Sequence, residues 1–240
     1  MTVLAIENLK KVYNNRKVVD GVSLELPSRR VIGLLGPNGA GKTTTFYMTV
    51  GMVRPDGGRV LLDGEDLSDL PMYLRARKGV GYLPQETSIF RKLTVRQNIT
   101  AILETMAIPR DELKDRSDVL LDELGIRHLA NSKAIVLSGG EKRRLEISRA
   151  LATNPAFMLL DEPFAGVDPL AVIDIKKIIG HLKERGIGVL ISDHNVRETL
   201  ESCDEAYILH EGKVIVSGTP DEITSSEIAR QAYLGDEFRM

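Results

Sequence analysis

The chain has 240 residues, of which 42% are hydrophobic and 28% charged, a balance that supports a folded protein with a substantial core and excludes intrinsic disorder. Its formal net charge of −2, from 32 basic and 34 acidic side chains, gives no electrostatic footprint for nucleic-acid binding. One cysteine, Cys203, excludes an intrachain disulfide and a cysteine-clustered zinc site; it fits a reducing compartment and reads as an ordinary half-buried thiol.

From the N-terminus, Met1 to Lys10 lacks the basic region and apolar core of a secretion signal. No run approaches the roughly 18 apolar residues of a transmembrane helix, so any membrane role is expected to come through a partner. Val22, Leu24 and Leu26 alternate with Ser23 and Glu25, the pattern of a half-exposed strand. Val31–Leu35 is an unbroken apolar run, which suits a strand buried on both faces. Asp63-Gly64 has the chemistry of a hairpin turn. Residues 88–136 offer no strand-like run and read as mostly helical, with Leu113, Leu120, Leu121 and Leu124 at helical spacing between an opening Asp111 and a closing Gly125. Phe157–Leu160 and Val189–Ile191 are again buried-strand runs. Between them Val172, Ile175, Ile179 and Leu182 recur at steps of three and four, with Gly186 as the stop. Glu211-Gly212 marks a second hairpin. Strands alternating with helices predict an α/β fold with a mainly parallel sheet, accompanied by antiparallel strands.

Gly36-Pro37-Asn38-Gly39-Ala40-Gly41-Lys42-Thr43 matches G-x-x-x-x-G-K-[ST] and directly follows the buried run ending at Leu35. Strand, glycine-rich loop and helix are the context this motif requires. Glycines let backbone N–H groups surround phosphate oxygens, and the helix that carries Thr43 and Thr44 adds its positive end. Lys42 reaches the terminal phosphates, and the Thr43 hydroxyl suits Mg²⁺. The run Phe157–Leu160 delivers Asp161 and Glu162 to a strand end, where parallel sheets hold their ligands. Asp161 would support the Mg²⁺ shell, and Glu162 would act as the base on the attacking water.

Leu137-Ser138-Gly139-Gly140-Glu141, placed about twenty residues before the Asp-Glu strand, resembles the signature motif of ABC ATPases, and with it the chain is identified as similar to that family. The resemblance spans essentially the whole chain. It implies a P-loop NTPase (RecA-like) core with an N-terminal antiparallel β subdomain and a helical signature subdomain over residues 88–150. All of this lies within a single domain, 1–240, that closes on a short tail, 218–240. It further implies that Tyr13 stacks on adenine, that Gln85 touches Mg²⁺ and water, that Asp168 communicates across a dimer and that His194 contacts the γ-phosphate. Ala165-Gly166-Val167-Asp168 departs from the commoner Ser-x-Leu-Asp form of that loop. His128, His181 and His210 match no motif and read as solvent-facing or capping residues. With no Asn-Lys-x-Asp element, ATP is preferred over GTP.

The same resemblance implies that Ser138, Gly139 and Gly140 of a second copy cap the γ-phosphate. A homodimer would then close on ATP and reopen on hydrolysis, peripheral to the cytoplasmic face of the inner membrane, and bind two integral membrane subunits through a coupling helix. Phe90 and Arg91 are the residues expected to meet that helix; packing of Phe90 inside the helical subdomain is the alternative. Leu9–Tyr13, Gly79–Gln85, Ser88–Leu93 and Tyr233–Phe238 resemble the ATPases of lipopolysaccharide export more closely than those of branched-chain amino-acid import. A soluble non-transport ATPase, such as the iron–sulfur cluster assembly type, remains the third reading.

Overall fold

The computed structural model describes residues 2–106, 108–235 and 238. In chain order its elements are β1 (Val3–Tyr13), β2 (Arg16–Pro27), β3 (Val31–Leu35), α1 (Lys42–Val50), β4 (Gly57–Leu62), β5 (Glu65–Asp66), α2 (Met72–Arg77) and β6 (Val80–Leu83). There follow α3 (Val95–Leu103), α4 (Glu112–Glu123), α5 (Gly139–Leu151), β7 (Phe157–Asp161), α6 (Pro169–Glu184) and β8 (Gly188–Ser192). The C-terminal part holds α7 (Val196–Ser202), β9 (Glu205–His210), β10 (Lys213–Gly218) and α8 (Pro220–Ser225).

These strands form two sheets. One is antiparallel throughout, in the order β2-β1-β4-β5. The other has the order β10-β9-β3-β8-β7-β6, with β10 antiparallel at its edge and the remaining strands parallel. The two apolar patterns account for the difference. Every residue of β3, β7 and β8 is buried, as strands covered on both faces must be. Along β2, Val22, Leu24 and Leu26 are buried while Ser23 and Glu25 are exposed, so that sheet keeps one wet face.

Period-two alternation along β7 then sorts its side chains into two cores. Phe157 and Leu159 join Ile32, Leu190, Phe46 and Met48 in a cluster shared with β1, β2 and β4. Met158 and Leu160 join Val189 and Ile191 in a second cluster with Ile99, Leu121, Leu145 and Ile179 from α3 to α6. Helix α1 is thereby packed among strands of both sheets, which fixes the loop that precedes it.

The hairpins expected at Asp63-Gly64 and Glu211-Gly212 are present. Both residues of each pair have positive φ (49° and 84°; 46° and 78°), the mirror-image turn that matches strand twist. Gly186 ends α6 as expected, at φ 95°. Asp111 differs from its expected role. Its own backbone is helical and its side chain makes no cap bond, because the chain already turns at Pro109, whose carbonyl accepts the Glu112 N–H. A residue in that conformation cannot aim its carboxylate at the first free N–H groups.

Between residues 88 and 136 the structure has α3, α4 and two short 3₁₀ turns, with one isolated bridge between Thr94 and Lys133. At the C-terminal end Ile223 and Ala229 are buried with Leu35, Leu200 and Ile208, and Tyr233, Leu234 and Phe238 pack against them. That segment is seated on its own chain. Asp236 and Glu237 of the terminal motif lie outside the described residues.

Candidate active site

Because β3, β8, β7 and β6 are parallel and adjacent in that order, the loops that follow them share one edge of the sheet. Gly36–Gly41 leave β3, His194 follows β8, Asp161 and Glu162 end β7, and Gln85 follows β6. This is the crevice at the carboxyl ends of strands where open α/β sheets take their ligands.

The loop from Gly36 to Gly41 is held by its neighbours. Gly36 has φ 146° and Gly41 φ 105°. A Cβ at Gly36 would lie 2.1 Å from the Leu209 carbonyl oxygen, and one at Gly41 2.6 Å from that of Val18. Neither position admits a side chain. The Ala40 N–H donates to the Pro37 carbonyl (3.1 Å), and the Ala40 carbonyl accepts from Gly212 N–H (3.0 Å). Lys42, at the first position of α1, curls back over the loop and donates to the carbonyls of Gly36 (2.7 Å) and Pro37 (3.1 Å). Burial pulls its ammonium below the usual lysine range, and the charges of Glu162, Asp161 and Asp193 oppose that pull. Thr43 and Thr44 occupy the first turn of α1 beside it.

Asp161 is buried at the end of β7, and Tyr82 donates its hydroxyl to Asp161 Oδ2 (3.1 Å). Burial raises the Asp161 pKa above the usual carboxylate range; the Tyr82 bond opposes this and the Glu162 charge adds to it. Glu162 then takes φ 46°, a left-handed conformation uncommon for a residue with a long side chain. Its N–H donates to the Ser192 carbonyl (2.6 Å). The Gln85 side-chain amide donates to Glu162 Oε2 (2.8 Å), and His194 Nδ1 lies 3.4 Å from the same oxygen. Three residues on three adjacent strand ends therefore meet at one carboxylate.

The remaining sequence candidates stand elsewhere. Ser138 begins α5 with a capping box: it accepts from the Glu141 N–H (3.4 Å), while its own N–H and hydroxyl donate to Glu141 Oε2 (2.8 Å each). Gly139 and Gly140 are exposed, with open space where a Cβ would sit. They line one groove together with Gly166, Val167 and Asp168. Asp168 caps α6, accepting from the N–H groups of Leu170 and Ala171 at 3.0 Å each. Tyr13 ends β1 with 43% of its surface exposed. Phe90 is 44% exposed, and the Arg149 guanidinium lies 4.8 Å from its ring centroid. Its N–H donates to Asn98 (2.7 Å), and the exposed Arg91 accepts from the Ile135 N–H (3.1 Å) through its carbonyl.

Tyr82, Asp193 and the buried Glu146 were not singled out from sequence. Glu146 accepts from the Ser88 N–H (2.7 Å) and lies 3.3 Å from Arg143, so one face of α5 grips the segment after Gln85. The i,i+3 spacing of Arg143 and Glu146 was the available signal. His181, in the last turn of α6, keeps 41% of its side chain exposed and also bonds Glu123 of α4 (2.7 Å), which pairs with Arg185 (2.8 Å). Cys203 is half-buried as expected, with burial pushing its thiol up to about 12.

Residues 19–165 match the family model for ABC transporters, and residues 213–239 match that of the branched-chain amino acid ATP-binding cassette transporter. A lipopolysaccharide export system ATP-binding protein, LptB of Haemophilus influenzae, is 56% identical over 241 residues and covers 100% of both chains. LptB of Escherichia coli K12 is 55% identical over the same full coverage. Among solved structures, the ADP conformation of an ATP-binding cassette of an ABC transporter aligns with a TM-score of 0.89 at 29% identity, over 98% of this chain and 100% of that one.

Proposed function

The chain belongs to the family of ABC transporter ATP-binding subunits, and on that premise we propose that it is the ATP-hydrolysing subunit of a lipopolysaccharide export transporter. The reaction turns ATP and water into ADP and phosphate. The observation that carries the chemistry is the Glu162 carboxylate, held by Gln85 and faced by His194 at the sheet edge that also bears the Gly36–Lys42 loop. A carboxylate so placed takes the proton of a water that attacks the γ-phosphorus in line, as the bond to the β–γ bridging oxygen breaks. Lys42 and His194 meet the charge that develops on the transferred group. Loop N–H groups from Gly36 to Thr44 hold the phosphates, and Tyr13 stacks on adenine.

Thr43, Gln85 and Asp161 offer hydroxyl, amide and carboxylate oxygens, the hard donor set that Mg²⁺ takes. Among the described residues there is no cluster of three or more His, Cys, Asp or Glu side chains; Thr43, Gln85 and Asp161 would hold Mg²⁺ together with the bound nucleotide. When bound, the ion neutralises phosphate charge.

The exposed Gly139 and Gly140 at the start of α5 leave its first N–H groups facing outward. This supports a homodimer in which Ser138, Gly139 and Gly140 of one copy cap the γ-phosphate held by the other, with Asp168 beside them in the same groove. No helix among the described residues is long and apolar enough to cross a membrane. By its likeness to the lipopolysaccharide export ATP-binding proteins, the chain is assigned to the cytoplasmic face of the inner membrane, where Phe90 and Arg91 receive a coupling helix from each of two membrane partners. The match of residues 213–239 to the branched-chain amino acid family model favours import as the second reading; identity over the full chain length favours export.

Glu162→Gln separates binding from chemistry. Turnover should fall by about a hundredfold or more, equivalent to about 2.7 kcal/mol or more of barrier, with ATP still bound. Turnover within about threefold of the parent's would remove Glu162 as the base. Purified from native membranes in this ATP-retaining form, the protein should bring two integral membrane proteins with large periplasmic domains. Permeases with a soluble amino-acid-binding protein would favour the second reading, and soluble scaffold proteins alone would remove the transport assignment.

A further inference from the structure

We propose that Asp193 is a positioning residue for hydrolysis, its buried carboxylate fixing the loop that carries Glu162 against the loop that carries His194. The proposal rests on the roles given above to Glu162 and His194.

Asp193 is 0% exposed, and among the described residues its hydrogen bonds come from amides. Oδ2 accepts from the backbone N–H of Phe164 (2.8 Å). Oδ1 accepts from the backbone N–H of Asn195 (2.8 Å) and from the Asn195 side-chain amide (3.0 Å). His194 Nδ1 lies 3.5 Å from the same Oδ1. One carboxylate thus joins the residue two positions after Glu162 to the residue after His194. A carboxylate removed from water is costly unless its oxygens are satisfied, and here the amides that satisfy it belong to two different loops. What the carboxylate adds is a rigid link between two loops.

Glu162 needs such a link. Its φ of 46° is a strained conformation that persists only where the surroundings over-determine it. Two ties flank it. Its own N–H donates to the Ser192 carbonyl (2.6 Å), and Phe164 beyond it donates to Asp193. Consecutive residues at the end of β8 therefore pin the chain on both sides of the strained position. The next residue in line is His194, whose Nδ1 lies 3.4 Å from Glu162 Oε2. Releasing the Asp193 tie lets Glu162 relax and lets His194 move relative to it, while the Gly36–Gly41 loop keeps its own hydrogen bonds and loses only the Asp193 charge that acts on Lys42.

Asparagine tests this without changing the side-chain volume. It has one acceptor oxygen and one NH₂ group, so Asp193→Asn turns a donor toward either the Phe164 or the Asn195 N–H and breaks one tie. Asp193→Ala removes all of them. For both variants of the full chain, kcat and KM for ATP hydrolysis, the equilibrium Kd for ATP with Mg²⁺ and the thermal unfolding curve are measured, beside Glu162→Gln and His194→Ala. Asp193→Asn should unfold cooperatively, bind ATP within about threefold of the parent and lose about tenfold to a hundredfold in kcat, as small misplacements of reacting groups do. Asp193→Ala, where it folds, should lose more.

An unchanged kcat per folded molecule would overturn the proposal, as would KM and Kd rising together while kcat holds. Failure of both variants to fold would also overturn it, leaving Asp193 a stability residue. If Glu162→Gln and His194→Ala themselves kept full kcat, the site reading would fall instead, which separates the two failures.

Discussion

Arg75 is fully buried, and among the described residues its guanidinium meets backbone carbonyls rather than an acid. Nη1 donates to the carbonyls of Met48 (2.7 Å) and Thr49 (2.8 Å), Nε to Leu70 (2.8 Å) and Nη2 to Ser68 (2.9 Å). Burial lowers its pKa, and Asp66 and Asp69 oppose this from a distance. Met48 and Thr49 belong to the last turn of α1, whose carbonyls have no helical partners and carry the negative end of the helix dipole. The other end of α1 bears Lys42, so Arg75 anchors the helix that follows the Gly36–Gly41 loop. Arg75→Met strands four carbonyls and should cost about 3 kcal/mol or more in urea unfolding. Arg75→Lys should recover only part of that, since a single ammonium cannot reach oxygens spread around a planar fork. A cost under about 1 kcal/mol for Arg75→Met would mean that water satisfies those carbonyls instead.

Among the elements, α6 is joined to the parallel sheet through Asp204. Its carboxylate accepts from Lys183 of α6 (2.6 Å) and from the Val31 N–H of β3 (2.9 Å), with Arg30 at 3.6 Å. Burial pushes its pKa up, and the Lys183 bond, the Val31 N–H and the nearby charges outweigh that, holding it below the usual range. A carboxyl depressed in the folded state binds protons more readily when unfolded. Its stabilisation is therefore present above about pH 4 and is lost as pH falls below that through the folded-state value. Asp204→Asn should lower stability at pH 7 and flatten its decline as pH falls below about 4. Parallel curves for the two proteins in chemical denaturation would contradict the assignment. At this scale the sequence was readable wherever a signal was local. The apolar runs of β3, β7 and β8, the Gly36–Thr43 loop and both hairpins are written in adjacent residues. Asp193, Arg75 and Tyr82 were not readable, because partners distant in the chain reach them only once it has folded: Tyr82 and Asp161 are 79 positions apart, Arg75 and Met48 27, and Asp193 and Phe164 29. Asp111 misled for the opposite reason, a good local cap signal overridden by a turn that begins earlier.

For the whole molecule, the proposed dimer makes a quantitative demand. If each ATP lies between the Lys42 loop of one copy and Gly140 of the other, no single chain completes a site, and a two-fold pair contains two. Lys42→Ala damages the loop. Gly140→Asp damages the opposing surface with little folding cost, because there is open space at that position and a carboxylate in the first turn of a helix is stabilising. The same carboxylate would face the γ-phosphate and repel it. Each variant alone should be inactive. In an equal mixture about half the dimers are mixed, each with one intact site built from the sound loop of one chain and the sound surface of the other. Activity should then return to about a quarter of the parent's if the two sites act independently. A Gly140→Asp protein that hydrolyses ATP at the parent's rate by itself would show that α5 of a second copy takes no part. The composite site would then be withdrawn while the chemistry at Glu162 stood.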